Sequence, residues 1–262
     1  MSDTRARLAD LAGLYREWIP HNALRCHLRC FWVNSFAARE RTAIRVVPDG
    51  CMDIIWDGEE LRVAGPDTHA MFAIVPAGVT IVGARFRPGV APQWLKISAA
   101  ELVNSRPLLE EFWPADGARL SAELSETRDA GQVLRVLERT LLARLPKVRP
   151  PDPVISGVLY GLMQSQTDSP AGWWRQVGMG LSERTLRRRS IAAFGYGPKT
   201  LDRVLRFQRF LRRIPSHPRI GLSELAAEVG FADQAHLTRE TRRLSGLTPK
   251  DFISEFLYGR TS

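Results

Sequence analysis

Residues 222–252, LSELAAEVGFADQAHLTRETRRLSGLTPKDF, constrain the fold more than any other part of the chain. Leu225, Ala226 and Val229 recur at helical spacing behind Ser223, a residue type that caps helix N-termini. Gly230 follows where a sharp turn needs a residue at ease with positive φ. Asp233 can cap a second helix. In that helix Leu237 and Leu244 point inward, whereas Gln234, His236, Thr238, Arg239, Arg242 and Arg243 fall mostly outward. Two short helices about a glycine, the second polar and basic on its outer side, meet the requirements of a DNA-recognition unit.

The charge supports this. The chain of 262 residues carries +9, and the excess is confined to one part. Residues 1–146 hold 18 Lys/Arg and 18 Asp/Glu, whereas residues 147–262 hold 19 and 10. A neutral module joined to a basic one suggests a sensor or scaffold attached to a polyanion binder. No apolar run approaches the roughly 20 residues of a membrane helix, and the N-terminus lacks a secretory h-region. Three cysteines, Cys26, Cys30 and Cys51, fit a reducing cytoplasm better than a disulfide framework. A cytoplasmic protein with no membrane partner is therefore expected.

Residues 4–17 are expected to form a helix, with Leu8, Leu11 and Leu14 at helical spacing. Residues 24–33 alternate as a strand does. Further strands are expected at 44–47, 52–56, 61–64, 71–75 and 80–86, separated by Pro-Asp-Gly, Asp-Gly, Gly-Pro-Asp and Pro-Ala-Gly turns. Short strands at this spacing predict a small β-barrel or sandwich. After Pro88-Gly89 the pattern turns helical, with segments at 90–95, 98–104 and 108–112 and one long helix over 121–145. Four prolines within residues 146–153 then mark a linker. The expected domains are 1–146, β-rich with a helical tail from about residue 90, a linker at 147–153, and a helical domain at 154–262.

Beyond the linker, residues 154–163 are a helix candidate and residues 173–189 repeat the opening unit: a positioning helix over 173–177, a turn at 178–180, and Ser182 capping a recognition helix. Leu186 and Phe194 anchor that helix, and Arg184, Arg187 and Arg188 fall on one outward stripe at i, i+3 and i+4. An Arg fork can grip guanine O6 and N7, and Gln can bridge adenine N6 and N7. The candidate DNA contacts are Arg184, Thr185, Arg187 and Arg188 in the first unit and Gln234, His236, Thr238 and Arg239 in the second. Phosphate contact alone is the competing reading. Residues 198–213 would connect the units, with Lys199 and Arg203 as phosphate contacts or solvated charge.

The second unit resembles AraC/XylS-type transcription regulators, whose pattern runs I-A-x-x-x-G-F-x-D-x-x-x-F-x-R-x-F-x-x-x-x-G-x-T-P. Ala226, Gly230, Phe231, Asp233, Arg239, Gly246, Thr248 and Pro249 match it in register. PDGCMDIIW at 48–56 and GARFRPG at 83–89 resemble paired motifs in the N-terminal domain of one subgroup. The resemblance implies an α+β chain: a β-rich, cupin-like barrel with a helical tail, then an all-α domain of two helix-turn-helix units joined by a connecting helix. It implies a sequence-specific DNA-binding regulator, not an enzyme. Its partners would be double-stranded DNA, a small-molecule effector, a second copy of the chain and RNA polymerase. No cofactor is implied. Ser190 and Thr241 depart from the pattern, which has a bulky apolar residue, often Phe, at both places. Losing a buried Phe costs about 3–5 kcal/mol unless neighbours such as Ile191, Leu244 and Phe252 fill the space.

Trp32, Asp53, Trp56 and Arg85 are candidate lining residues of an effector pocket, the alternative being core tryptophans and a structural ion pair. Cys26, His27 and Cys30 invite a metal reading. On a strand, however, residues four apart lie roughly 13 Å from each other and His27 points the other way, so no metal site is expected. No catalytic triad, phosphate-cradling loop or carboxylate pair stands out. The runner-up function is a DNA-associated or repair-type enzyme using a reactive Cys51, placed just after a turn.

Overall fold

The N-terminal strands pair into two separate sheets. In the computed structural model, which describes residues 7–9, 12–37, 41–127, 129–164, 181–214 and 221–258, the smaller sheet has the order β1-β4-β7. It comprises β1 (Arg7–Leu8), β4 (Thr42–Val46) and β7 (Met71–Val75). The larger sheet runs β2-β3-β8-β5-β6, from β2 (Leu14–Trp18), β3 (Leu28–Ser35), β8 (Thr80–Phe86), β5 (Asp53–Trp56) and β6 (Leu61–Ala64). Both sheets keep open edges, so the closed barrel expected from the sequence does not form. The turn signals nevertheless act locally as read: Asp57 Oδ1 accepts from the Glu59 and Glu60 N–H groups at 3.0 and 2.8 Å, closing the β5–β6 hairpin over Gly58 at φ +101°.

The larger sheet is covered on both faces. Phe31, Val33, Ile54, Trp56, Val82 and Ala84 pack on the helical tail, and Ile81 packs with Phe36, just after β3, towards Ile44 and Val75 of the smaller sheet. The tail comprises α1 (Ala91–Leu95), single 3-10 turns at Ala99–Leu102 and Leu109–Glu111, α2 (Pro114–Ser125) and α3 (Ala130–Arg144). The single helix expected over 121–145 is therefore two. Asp129 ends the run by capping α3, its Oδ2 accepting from the Gln132 N–H at 2.9 Å.

The expected N-terminal helix is also corrected, because its described residues supply β1 and β2. Pairing with β4 and β3 overrides the local leucine spacing. The strand expected from residue 24 starts at Leu28, after a 3-10 turn at Asn22–Leu24. Cys26 is exposed and Cys30 buried. His27 is buried, and its Nδ1 accepts from Trp94 Nε1 at 3.2 Å. Burial lowers the pKa of the ring. The unfolded chain takes up a proton at His27 below about pH 6.5 and the folded chain resists it, so this contribution to stability is full above that pH and lost as pH falls below it. Urea unfolding at pH 7.5 and 5.5 should show the decline, and His27→Gln should lessen it.

The C-terminal part contains α4 (Pro153–Gln164), α5 (Glu183–Phe194), α6 (Pro198–Arg213), α7 (Leu222–Val229), α8 (Gln234–Ser245) and α9 (Pro249–Tyr258). No helix among the described residues is long and apolar enough to cross a membrane. α6 serves two cores: Leu201 and Leu205 join Ile155, Val158, Leu186 and Phe194, while Val204, Phe207 and Phe210 join Leu225, Leu237 and Phe252.

The two parts dock directly. Leu8 enters the second helical core, its N–H donates to Glu255 Oε1 at 2.9 Å, and Arg45 pairs with Glu255 Oε2 at 2.7 Å. Pro48 O, in the turn before β5, accepts from Gln208 Nε2 at 2.7 Å. Close approach is required elsewhere too. A Cβ on Gly195, the α5 C-cap at φ +84°, would lie 2.7 Å from Pro66 and 2.8 Å from Val103.

Candidate nucleic-acid interface

The second unit is built as its sequence suggests, with one shift. α7 starts at Leu222 with Gly221 as N-cap, so Ser223 is already inside the helix, where its Oγ donates to Gln234 Oε1 at 3.1 Å. Leu225, Ala226 and Val229 are buried. Gly230 takes φ +86°, and the N–H groups of Gly230 and Phe231 return to the Ala227 and Ala226 carbonyls at 3.2 and 2.9 Å. This is a Schellman closure, which a residue with a Cβ would strain. Asp233 then caps α8, its Oδ1 accepting from the His236 N–H at 2.6 Å.

On the outer side of α8, Arg239 is exposed and Gln234 is exposed but tied to Ser223. Thr238 is half-buried, and its Oγ1 donates to the Gln234 carbonyl at 2.8 Å. His236 lies edge-on to Phe231 at 5.2 Å and its Nδ1 accepts from the Ala232 N–H at 3.5 Å, so it braces the turn.

In the first unit, the positioning helix and turn expected at 173–180 lie outside the described residues. The recognition helix does not. Ser182 Oγ accepts from the Thr185 N–H at 3.2 Å and donates to Thr185 Oγ1 at 3.0 Å. Leu186, Ser190 and Phe194 form the buried stripe of α5, and Arg184, Arg187 and Arg188 are exposed on another. Among the described residues no carboxylate pairs with these three or with Arg239, whereas Arg189 is held by Asp152 at 2.8 Å. Exposed guanidinium groups on one helix face, without acidic partners, make a surface suited to phosphate and base edges.

The two departures from the apolar pattern are fully buried. Among the described residues neither the Ser190 nor the Thr241 hydroxyl has a hydrogen-bond partner. In the second helical core Phe252 is fully buried, with its ring 5.8 Å from Phe207 and 6.2 Å from Phe210. Leu244 is buried there as well, while Ile191 is only half-buried. A buried unpaired hydroxyl opposes folding. Thr241→Val keeps the shape and removes the hydroxyl, so it should raise the unfolding free energy by about 1 kcal/mol in urea titration.

The proposed pocket residues divide. Trp32, Asp53 and Arg85 come together: Asp53 accepts from Trp32 Nε1 at 3.0 Å and from Arg85 Nε and Nη2 at 3.2 and 3.0 Å. Burial pushes the Asp53 carboxyl up, and Arg85 opposes that shift. Trp32 lies flat against the neighbouring strand, since a Cβ on Gly83 would lie 2.2 Å from its ring. Trp56 sits on the other face of the sheet, in the helix-side core. Trp32, Asp53 and Arg85 thus satisfy one another's polar groups. An open cleft of about 350 Å³ lies between β2 and the start of α3, lined by Leu14, Arg16, Trp18, Val33 and Leu134 among others. Cys51 is 6% exposed, and burial, reinforced by Asp49, pushes its thiol well up. A thiol held protonated is a poor nucleophile.

Sequence reasoning missed Arg206. It was detectable as a charge between two inward apolar residues, Leu205 and Phe207, with Asp202 four residues before it. It is buried, and its Nη1 donates to the Gly230 carbonyl at 2.8 Å.

Two family models match separate segments of the chain. The helix-turn-helix domain family matches residues 178–255, and the domain of unknown function DUF6597 matches residues 16–107. No curated protein matches the chain. Among solved structures it is similar to ToxT from Vibrio cholerae O395, at 9% identity over 87% of this chain and 98% of that one, with a TM-score of 0.45. Unsaturated fatty acid bound ToxT from Vibrio cholerae strain SCE256 shows 10% identity over 86% of this chain and 95% of that one, also with a TM-score of 0.45. These likenesses are too distant to carry an argument. The helix-turn-helix match is the informative one: the C-terminal part carries a DNA-binding module of the kind transcription regulators use.

Proposed function

We propose that the chain is a sequence-specific DNA-binding transcription regulator of AraC type. Its recognition helices, α5 and α8, would enter successive major-groove segments about 34 Å apart. The observation that carries this reading is the row of exposed arginines, unpaired among the described residues, on the outer face of α5 within a helix-turn-helix domain. Arg184, Arg187 and Arg188 would read bases or grip phosphates from the first unit, with Thr185 at their rim. Arg239, Gln234 and Thr238 would do so from the second, and His236 would hold the turn.

The neutral N-terminal part would supply control, through a ligand or through dimerisation. The cleft beside Arg16 offers a small amphipathic molecule both an apolar wall and a cation. A reactive-thiol enzyme is the weaker reading, because Cys51 is buried and its thiol is pushed up.

Arg188→Ala tests the DNA reading. A base contact is worth about 1–3 kcal/mol, so binding to a selected operator should fall roughly 10-fold or more while binding to unrelated duplex falls less. Equal losses would make Arg188 a phosphate contact. Wild-type binding that is salt-sensitive yet indifferent to sequence would sink the regulator reading itself.

A further inference from the structure

Reading two half-elements of one duplex requires the recognition helices to be held at a fixed distance and rotation. α6 joins them, but its apolar contacts in both cores are non-directional. Such packing is close, but it does not single out one partner group. Directional contacts set its register. One is buried where α6 crosses the second unit. Arg206 is 4% exposed and Asp202, one turn before it, is 2% exposed. The Arg206 guanidinium donates to Asp202 Oδ2 through Nη2 and to the Gly230 carbonyl through Nη1 at 2.8 Å.

The acceptor is informative. Gly230 is the left-handed residue at the end of α7, three residues before the Asp233 cap of α8. Its N–H is already used within the Schellman closure, and its carbonyl faces α6. The same helix reaches α8 again through Arg203, whose Nη1 lies 4.0 Å from Glu240 Oε1. A buried ion pair is weak evidence for stability and better evidence for geometric specification.

We infer that Arg206 is a positioning residue for two-site DNA recognition: by holding the Gly230 carbonyl it sets the phase of α8 relative to α5. This rests on the regulator reading above. Arg206 touches no DNA. It decides which spacing of half-elements the protein accepts.

The test uses the full chain. A preferred operator is selected from random duplex, and one base pair is then inserted between its two half-elements, which rotates one against the other by about 34°. The wild type should lose at least about tenfold in affinity for one such 1.4 kcal/mol-scale misalignment. The double variant Asp202→Asn, Arg206→Met removes both charges together, so no buried carboxylate is left unpaired. It should keep the base preferences of both half-elements and show an insertion penalty below about threefold. Arg206→Lys keeps the charge without the fork that grips Asp202 and Gly230 together, and it should lose the spacing preference too. A full wild-type penalty in either variant overturns the inference. So does loss of the second half-element's base preference, with its circular dichroism, in both variants, because that is a role in folding alone. A wild type that selects no sequence overturns the regulator reading instead, which separates the two failures.

Discussion

Arg85→Met is expected to lower the unfolding free energy by roughly 3–5 kcal/mol, because it strands the Asp53 carboxylate in the core. Asp53 is 6% exposed and depends on Arg85 for two of its donors, the third being the Trp32 indole. Burial already raises the pKa of this carboxyl, and losing the guanidinium removes the main opposing influence. The variant should therefore lose more stability near neutral pH than in acid, because protonating Asp53 removes the stranded charge. Urea unfolding measures both. Replacing both partners with apolar residues of similar volume should recover much of the loss. A cost below about 1 kcal/mol for Arg85→Met would show that the cluster is solvated in solution.

Phe252→Ala should cost about as much, roughly 3–5 kcal/mol, but its effect should be regional. Its ring is fully buried and meets both Phe207 and Phe210. Its neighbours in that core are already packed, so they can relax only partly into the cavity. Because Phe252 belongs to the second helical core, operator binding should lose the base preference of one half-element before the other. In a selection experiment, equal erosion of both half-elements would contradict that assignment.

These two sites show what could be read in the sequence. β5 to β8 were legible because each is bracketed by turn residues acting locally: Asp57 closes its hairpin with its own carboxylate. α8 was legible because Asp233, the leucine spacing and Gly246 agree with one another. The N-terminal residues misled because three leucines at intervals of three suit a short helix, whereas pairing with distant strands decides the outcome. Asp129 was taken as helix interior although it is a cap, which merged α2 and α3. Of the candidate site, the outward arginines followed from periodicity alone. That Gln234, His236 and Thr238 are engaged with their own unit did not, because those contacts depend on where Ser223, Phe231 and the helix backbone sit. The packing of Trp32 depends on Gly83 of a neighbouring strand, a pairing no local pattern announces.

Leu8 in the second helical core has a consequence for how the molecule opens. α9 cannot detach without also uncoupling β1 and β4, since Glu255 holds the Leu8 amide and Arg45 together. Amide protons in α9 and in the smaller sheet should thus exchange with solvent as one cooperative unit, although they are remote in sequence. Any event that loosens the smaller sheet is felt at the last helix of the DNA-binding part as a change in opening free energy.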